Sequence, residues 1–318
     1  MTRKLIAPLF ILLLLTACGQ NESSHKIKAV GVLLEDTIDD QVWGQKGYQG
    51  IVKIQKKYDA KVYSKENVST QRDVDEAVKE FSRKGVQLIF GHGSIYGSYF
   101  PWLNEQYPDI EFVYFNGSRT GDNLSSLSFQ SHAMGFFGGM VAGSMTKTND
   151  VAVIAAYEWQ PEVEGFYQGV LYQNPEANVE ITFVHDWNDV NTALALFETL
   201  EKKDVDVYYP AGDGFNIPII EKVKETGDYA IGYVSDQIHL GVNTVLTSTV
   251  QHVEQLYLVA TDLYVNNELH NGTRLSFDFQ DDAVSLGEFS PIVPESVKEQ
   301  VLQAVEDYKE TGLLPYEK

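Results

Sequence analysis

From Lys26 onward the chain alternates short apolar runs with amphipathic stretches of helical period, and no other feature constrains its fold so strongly. Residues 27–34 form an apolar run that ends in acidic residues, after which Asp39 or Asp40 is placed to cap a helix through Tyr58. A strand follows at 61–63. Ser69 or Thr70 then caps a helix that carries Val74, Ala77, Val78 and Phe81 on one face and ends at Gly85. The strand 86–90 runs straight into Gly91, His92, Gly93 and Ser94, where the glycines permit tight turning at the strand's carboxyl end. The same grammar predicts helices at 95–106, 132–146, 161–172, 190–203, 215–226 and 249–267, and strands at 112–115, 151–156, 180–184, 205–209, 230–233 and 245–247.

Such alternation argues for parallel sheets covered by helices on both faces. The strands are too numerous for one comfortable sheet, so the expected fold is α/β with two doubly wound lobes. The polar stretch 117–128 gives way to a new helix, and the chain is expected to cross back near Ser248. That assigns 26–128 and 248–280 to an N-terminal lobe, and 129–247 and 281–318 to a C-terminal lobe. Open α/β sheets bind ligands outside the carboxyl ends of their strands, so two facing lobes surround one cleft.

The N-terminus has a different character. Arg3 and Lys4 precede an apolar run over 5–15, and Leu15, Thr16 and Ala17 lead directly to Cys18, the only cysteine. This reads as a lipoprotein signal peptide, 1–17, followed by a polar tether, 18–25. At about a dozen residues the run is shorter than the roughly 20 a spanning helix needs. Cleavage leaves Cys18 as a lipidated N-terminus, so the expected location is the extracytoplasmic face of the cell membrane, with the membrane engaged through a lipid anchor. One cysteine also rules out an internal disulfide or a thiolate zinc cluster.

With 24 Lys and Arg against 45 Asp and Glu, the chain carries a formal charge of −21. Such a surface repels phosphate backbones, and direct nucleic-acid binding is not expected. No G-x-S-x-G, Walker, H-E-x-x-H or EF-hand pattern occurs, and the seven histidines are dispersed. Neither an enzyme, a cofactor nor a metal is expected.

The candidate binding residues sit at strand ends. Asp36 and Asp39 follow the first strand, where a carboxylate either caps the next helix or accepts from a polar ligand. Trp43 lies in the first turn after that loop, and Trp187, within Asp186-Trp187-Asn188-Asp189, lies past the strand 180–184. On opposite lobes they suit a flat ring held by stacking. Glu158-Trp159-Gln160, and Gly212 and Asp213 before Gly214 and Phe215, also follow strands and should line the same cleft. Gly135, Gly138, Gly139 and Gly143 give the helix 132–146 a small-residue face, read as close packing of a helix on a sheet rather than a membrane dimer motif.

Several segments together resemble the basic-membrane-protein (BMP) family of lipoproteins. Asp39-Asp40-Gln41-Val42-Trp43-Gly44-Gln45 resembles the family's D-D-x-S-F-N-Q. Gly135-Phe136-Phe137-Gly138-Gly139, Ala211-Gly212-Asp213-Gly214, Ile231-Gly232-Tyr233-Val234-Ser235-Asp236-Gln237 and Val245-Leu246-Thr247-Ser248 are similar to others of its motifs. The resemblance implies a type I periplasmic-binding-protein-like fold and a small-molecule ligand, a purine nucleoside in several members, passed to an ABC transporter permease. It also implies ligand roles for Trp43, Trp187, Asn116 and Asp236, with changes: Asn116 and Val234 stand where the family has Asp, and Gln251 where it has Lys. Segments 43–48, 91–94, 159–163 and 209–214 are similar to a regulatory member, which implies regulation as well as, or instead of, uptake.

Overall fold

The computed structural model describes residues 26–38, 42–269 and 272–318. The expected signal peptide 1–17, Cys18 with its tether, and Asp39 lie outside the described residues. In chain order the first elements are β1 (Ala29–Leu34), α1 (Trp43–Tyr58), β2 (Lys61–Lys65), α2 (Gln71–Arg83), β3 (Leu88–His92), a single turn α3 (Tyr96–Tyr99), β4 (Glu111–Phe115) and β5 (Leu124–Phe129). Then come α4 (Ser131–Met145), β6 (Asp150–Ala155), α5 (Pro161–Gln173), β7 (Asn178–Phe183), α6 (Val190–Glu201), β8 (Val207–Ala211), α7 (Asn216–Thr226) and β9 (Tyr229–Val234). The last are β10 (Val245–Gln251), α8 (Val253–Val265), β11 (Arg274–Phe277), β12 (Val284–Leu286) and α9 (Glu295–Thr311).

The strands form two six-stranded sheets, ordered β11-β5-β4-β3-β1-β2 and β12-β10-β9-β8-β6-β7. Every pairing is parallel except β10 with β12. Burial explains this pattern: β1, β3 and β8 are buried along their whole length, as strands covered on both faces must be. Each sheet has an apolar core of its own on one face, around Phe81 and Phe112 in the first and Phe197 and Tyr208 in the second. A third core runs continuously from one sheet to the other through α1, α4 and α8.

Three local expectations are corrected. The helix expected at 95–106 is one α-turn and a 3-10 turn (Phe100–Trp102), because Pro101 has no amide hydrogen to extend an α-helix. The helix expected at 249–267 begins at Val253, because Thr249, Val250 and Gln251 are paired with β12 on one side, and Thr249 and Val250 with β9 on the other. Of the α4 glycines only Gly138 faces the sheet, at Ile231 and Thr249, and the others pack on a helix: a Cβ at Gly135, Gly139 or Gly143 would collide with the α5 backbone, and one at Gly165 or Gly169 with α4. The two backbones touch because neither carries side chains at the crossing.

Candidate functional site

Each sheet has the order in which the chain turns back across its first strand, so the connections leaving β1 and β3, and likewise β6 and β8, part to opposite faces and open a crevice outside the strands' carboxyl ends. The two crevices face each other across a cavity of about 360 Å³. Its first wall carries Glu35 and Asp36 after β1, Trp43 at the start of α1, His92 at the end of β3 and Asn116 after β4. Its second wall carries Trp159 and Glu162 after β6, Trp187 and Asn188 after β7, Asp213 after β8, and Val234 at the end of β9.

Trp43 is held by a nest of rings. Its indole stacks on His92, centroids 4.4 Å apart and 20° between planes, and meets Phe115 and Phe129 edge-on. His92 is 2% exposed and its tautomer follows from its partners. Nε2–H donates to the Trp43 carbonyl at 2.7 Å, and the Tyr257 hydroxyl of α8 donates to Nδ1 at 3.0 Å. Burial lowers its pKa to about 4, so the ring is neutral near pH 7. Gly47 and Gly50 of α1 make the nest possible, since a Cβ at either would run into the ring of His92 or Tyr257.

The second wall is built differently. Tyr157 stacks on Trp159 at 5.4 Å and 15°, and Trp187 stands edge-on to both at 5.5 and 5.7 Å. Trp159 is 57% exposed. Beneath these rings Glu162, only 4% exposed, accepts from Ser131 Oγ at 2.8 Å, Gln160 Nε2 at 3.0 Å and the Tyr233 hydroxyl at 3.1 Å. A buried carboxylate needs this many donors to stay in place. Val234 has a left-handed backbone (φ 61°), which a β-branched residue adopts only under strain, and such strain gathers at functional sites.

The walls touch at the cleft mouth, where Asn188 Nδ2 donates to Asp36 Oδ2 at 2.9 Å. At the opposite end Lys46 of α1 donates to the Gln251 carbonyl at 2.9 Å, tying the first lobe to the β10–α8 crossing. Burial, then Asp36, then Asp186 raise the pKa of Glu35. Among the described residues four carboxylates, Glu35, Asp36, Glu162 and Asp213, line the cavity against one guanidinium, Arg274. No group of three potential ligands able to hold a metal occurs among them.

Of the residues expected from sequence, the structure brings Asp36, Trp43, Asn116, Trp187 and Asp213 to the cavity. Gly212 lies behind the wall, where the Phe215 ring occupies the space a Cβ would need. Asp236 lies off the cavity too, accepting from the Ile238 and Glu288 amides at 3.2 and 2.9 Å and so fixing the segment after β12. Glu35, Glu162 and Arg274 were not singled out. Glu35 and Glu162 directly follow or open elements at strand ends, a signal that was available; Arg274 required seeing β11.

Two mostly parallel sheets with the carboxyl ends of their parallel strands around one cleft define a type I periplasmic-binding-protein-like molecule. The chain belongs to the Bmp family, described as ABC transporter substrate-binding protein PnrA-like, whose model matches residues 27–318. It is similar to the transcriptional activator protein med of Bacillus subtilis (strain 168), 45% identical over 315 residues and covering 99% of each chain. The crystal structure of a transcriptional activator of the comK gene from Bacillus halodurans is similar, at 46% identity, with a TM-score of 0.84 over 90% of this chain and 99% of that one. An ABC transporter solute-binding protein from Conexibacter woesei DSM 14684 shares the fold at 16% identity, with a TM-score of 0.73 over 90% and 97% of the two chains. These are binding proteins and regulators, and the chain is not an enzyme. No helix among the described residues is long and apolar enough to cross a membrane.

Proposed function

We propose that the chain is a lipid-anchored, extracytoplasmic binding protein with a positive regulatory role in competence, a role supported by its similarity to Bacillus proteins named as transcriptional activators, and that it closes around a small ring-bearing ligand of the purine-nucleoside kind. The observation that carries the ligand reading is the cavity itself: about 360 Å³, within the roughly 300–1,000 Å³ usual for small-molecule sites, with an indole on each wall. A ligand touching Trp43 and Trp187 together stabilises the closed form only by its differential affinity for that form. The Cys18 anchor and the net charge of −21 both favour action through a membrane or surface partner rather than by contact with DNA.

The second reading is a nucleoside receptor for an ABC transporter permease, favoured by the description of the matching family. Asn116, Val234 and Gln251 weigh against it, because replacing a polar acceptor with Val removes a hydrogen bond that such sites use to discriminate. A competence-gene reporter in cells lacking this protein separates the readings. The regulatory reading expects the wild-type chain to restore expression, and both Cys18→Ser and the Trp43→Ala, Trp187→Ala pair to fail at equal protein level. Full restoration by the double variant contradicts a ligand-dependent regulator.

A further inference from the structure

At one corner of the cavity the charges and rings are unbalanced in the same sense. Trp159 and Trp187 offer two aromatic surfaces there, and Tyr157, outside the cavity lining, stacks on Trp159. Glu35 and Asp36 reach the corner from the other lobe, and Asp186 lies close enough for its charge to act on both Glu35 and Tyr157. Asp36 is engaged by Asn188, but no donor among the described residues reaches the Glu35 carboxylate. The one guanidinium lining the cavity starts β11, four strands away from β1 in the first sheet, about 19 Å at the ~4.8 Å spacing of neighbouring strands.

A ring face attracts cations through its quadrupole, and carboxylates in a partly closed cleft do so through their charge. Among the described residues an anion finds no compensating cation in this corner, where Glu35 and Asp36 stand against it. We propose that the corner selects a ligand bearing a positive charge, an alkylated or protonated nitrogen seated between Glu35 and the Trp159 and Trp187 rings, and that the cleft rejects anions. The inference rests on the reading that the cleft binds a small ligand, and it adds the charge of that ligand. It also gives the exposed Trp159 a role that packing does not, since a ring 57% exposed contributes little to the core.

Choline and 3,3-dimethylbutanol share a shape and differ in charge, so they isolate this selection. Titrated against the full-length chain in mild detergent and followed by tryptophan fluorescence, choline is expected to bind roughly tenfold more tightly or better. Glu35→Gln should bring the two within about twofold, and Trp159→Ala should weaken choline alone, while added salt narrows the preference. Adenosine in parallel tests the underlying reading. Adenosine binding without any preference for choline overturns the positive-charge inference and leaves the ligand reading standing. Absence of binding by all three overturns both.

Discussion

The two walls of the cleft both present indoles, and they are built on opposite principles. On the first, Trp43 is stacked on a buried histidine whose two nitrogens are both engaged, so its position is fixed before any ligand arrives. On the second, Trp159 is 57% exposed and rests on Tyr157 and Trp187, which are themselves partly buried against the core of their lobe. The contrast teaches that aromatic character alone does not define a binding residue. The first wall spends its ring contacts on the fold, whereas the second leaves ring surface open.

Removing the nest should therefore cost most. His92→Ala deletes a buried ring, withdraws the stack from Trp43 and leaves the Tyr257 hydroxyl without its acceptor; we expect a loss of about 4 kcal/mol in denaturant unfolding. The acid limb of stability should report the same group. The folded pKa of His92 is lowered to about 4 against an ordinary 6.5, so stability is fully present above 6.5 and is lost as pH falls towards 4, by about 3 kcal/mol. His92→Gln keeps a donor for Trp43 and an acceptor for Tyr257 and should flatten this limb. The opposite drift from Glu111, whose carboxyl burial pushes up to about 8, is common to both proteins and cancels in their difference. A limb of equal steepness in the two proteins would count against the nest as drawn.

Smaller effects probe the second wall. Glu162→Leu strands the Ser131 and Tyr233 hydroxyls, while Gln160 keeps the Ala211 carbonyl, and should cost about 2 kcal/mol. Trp159→Ala should change stability by less than about 1 kcal/mol while weakening ligand binding, the reverse of His92→Ala. Asp36→Ala breaks the contact with Asn188 across the mouth; for an exposed pair we expect about 0.5 kcal/mol or less, with a wider average cleft seen by small-angle scattering. If Trp159→Ala proved as destabilising as His92→Ala, the two walls would not differ in kind.

Much of this was legible in the sequence because it depended on local pattern. The apolar run 27–34 and the face Val74, Ala77, Val78 and Phe81 mark the elements they form, while the strand expected at 86–90 is shifted to Leu88–His92, so that Gly91 and His92, expected in a loop, pair with β1. What was not legible depended on neighbours distant in sequence. The segment Leu124–Phe129 reads as polar because it carries three serines, yet it is an interior strand: Ser126 and Ser128 spend their hydroxyls on the Gly117 and Leu275 carbonyls. β11 and β12 are four and three residues long and gain their identity from the strands they join. The same holds for the site. Trp43 and Trp187 could be placed at strand ends, but that His92 stacks beneath one and Trp159 beside the other follows only from the tertiary fold.

The most direct test of the account is calorimetry of the full-length chain, in mild detergent, against adenosine and guanosine, with Trp43→Ala and Trp187→Ala alongside. The account predicts one binding site per chain, abolished by Trp187→Ala and by Trp43→Ala, with both variants still folded. No heat from either nucleoside, or binding that survives both substitutions, would contradict a ligand held between the two walls.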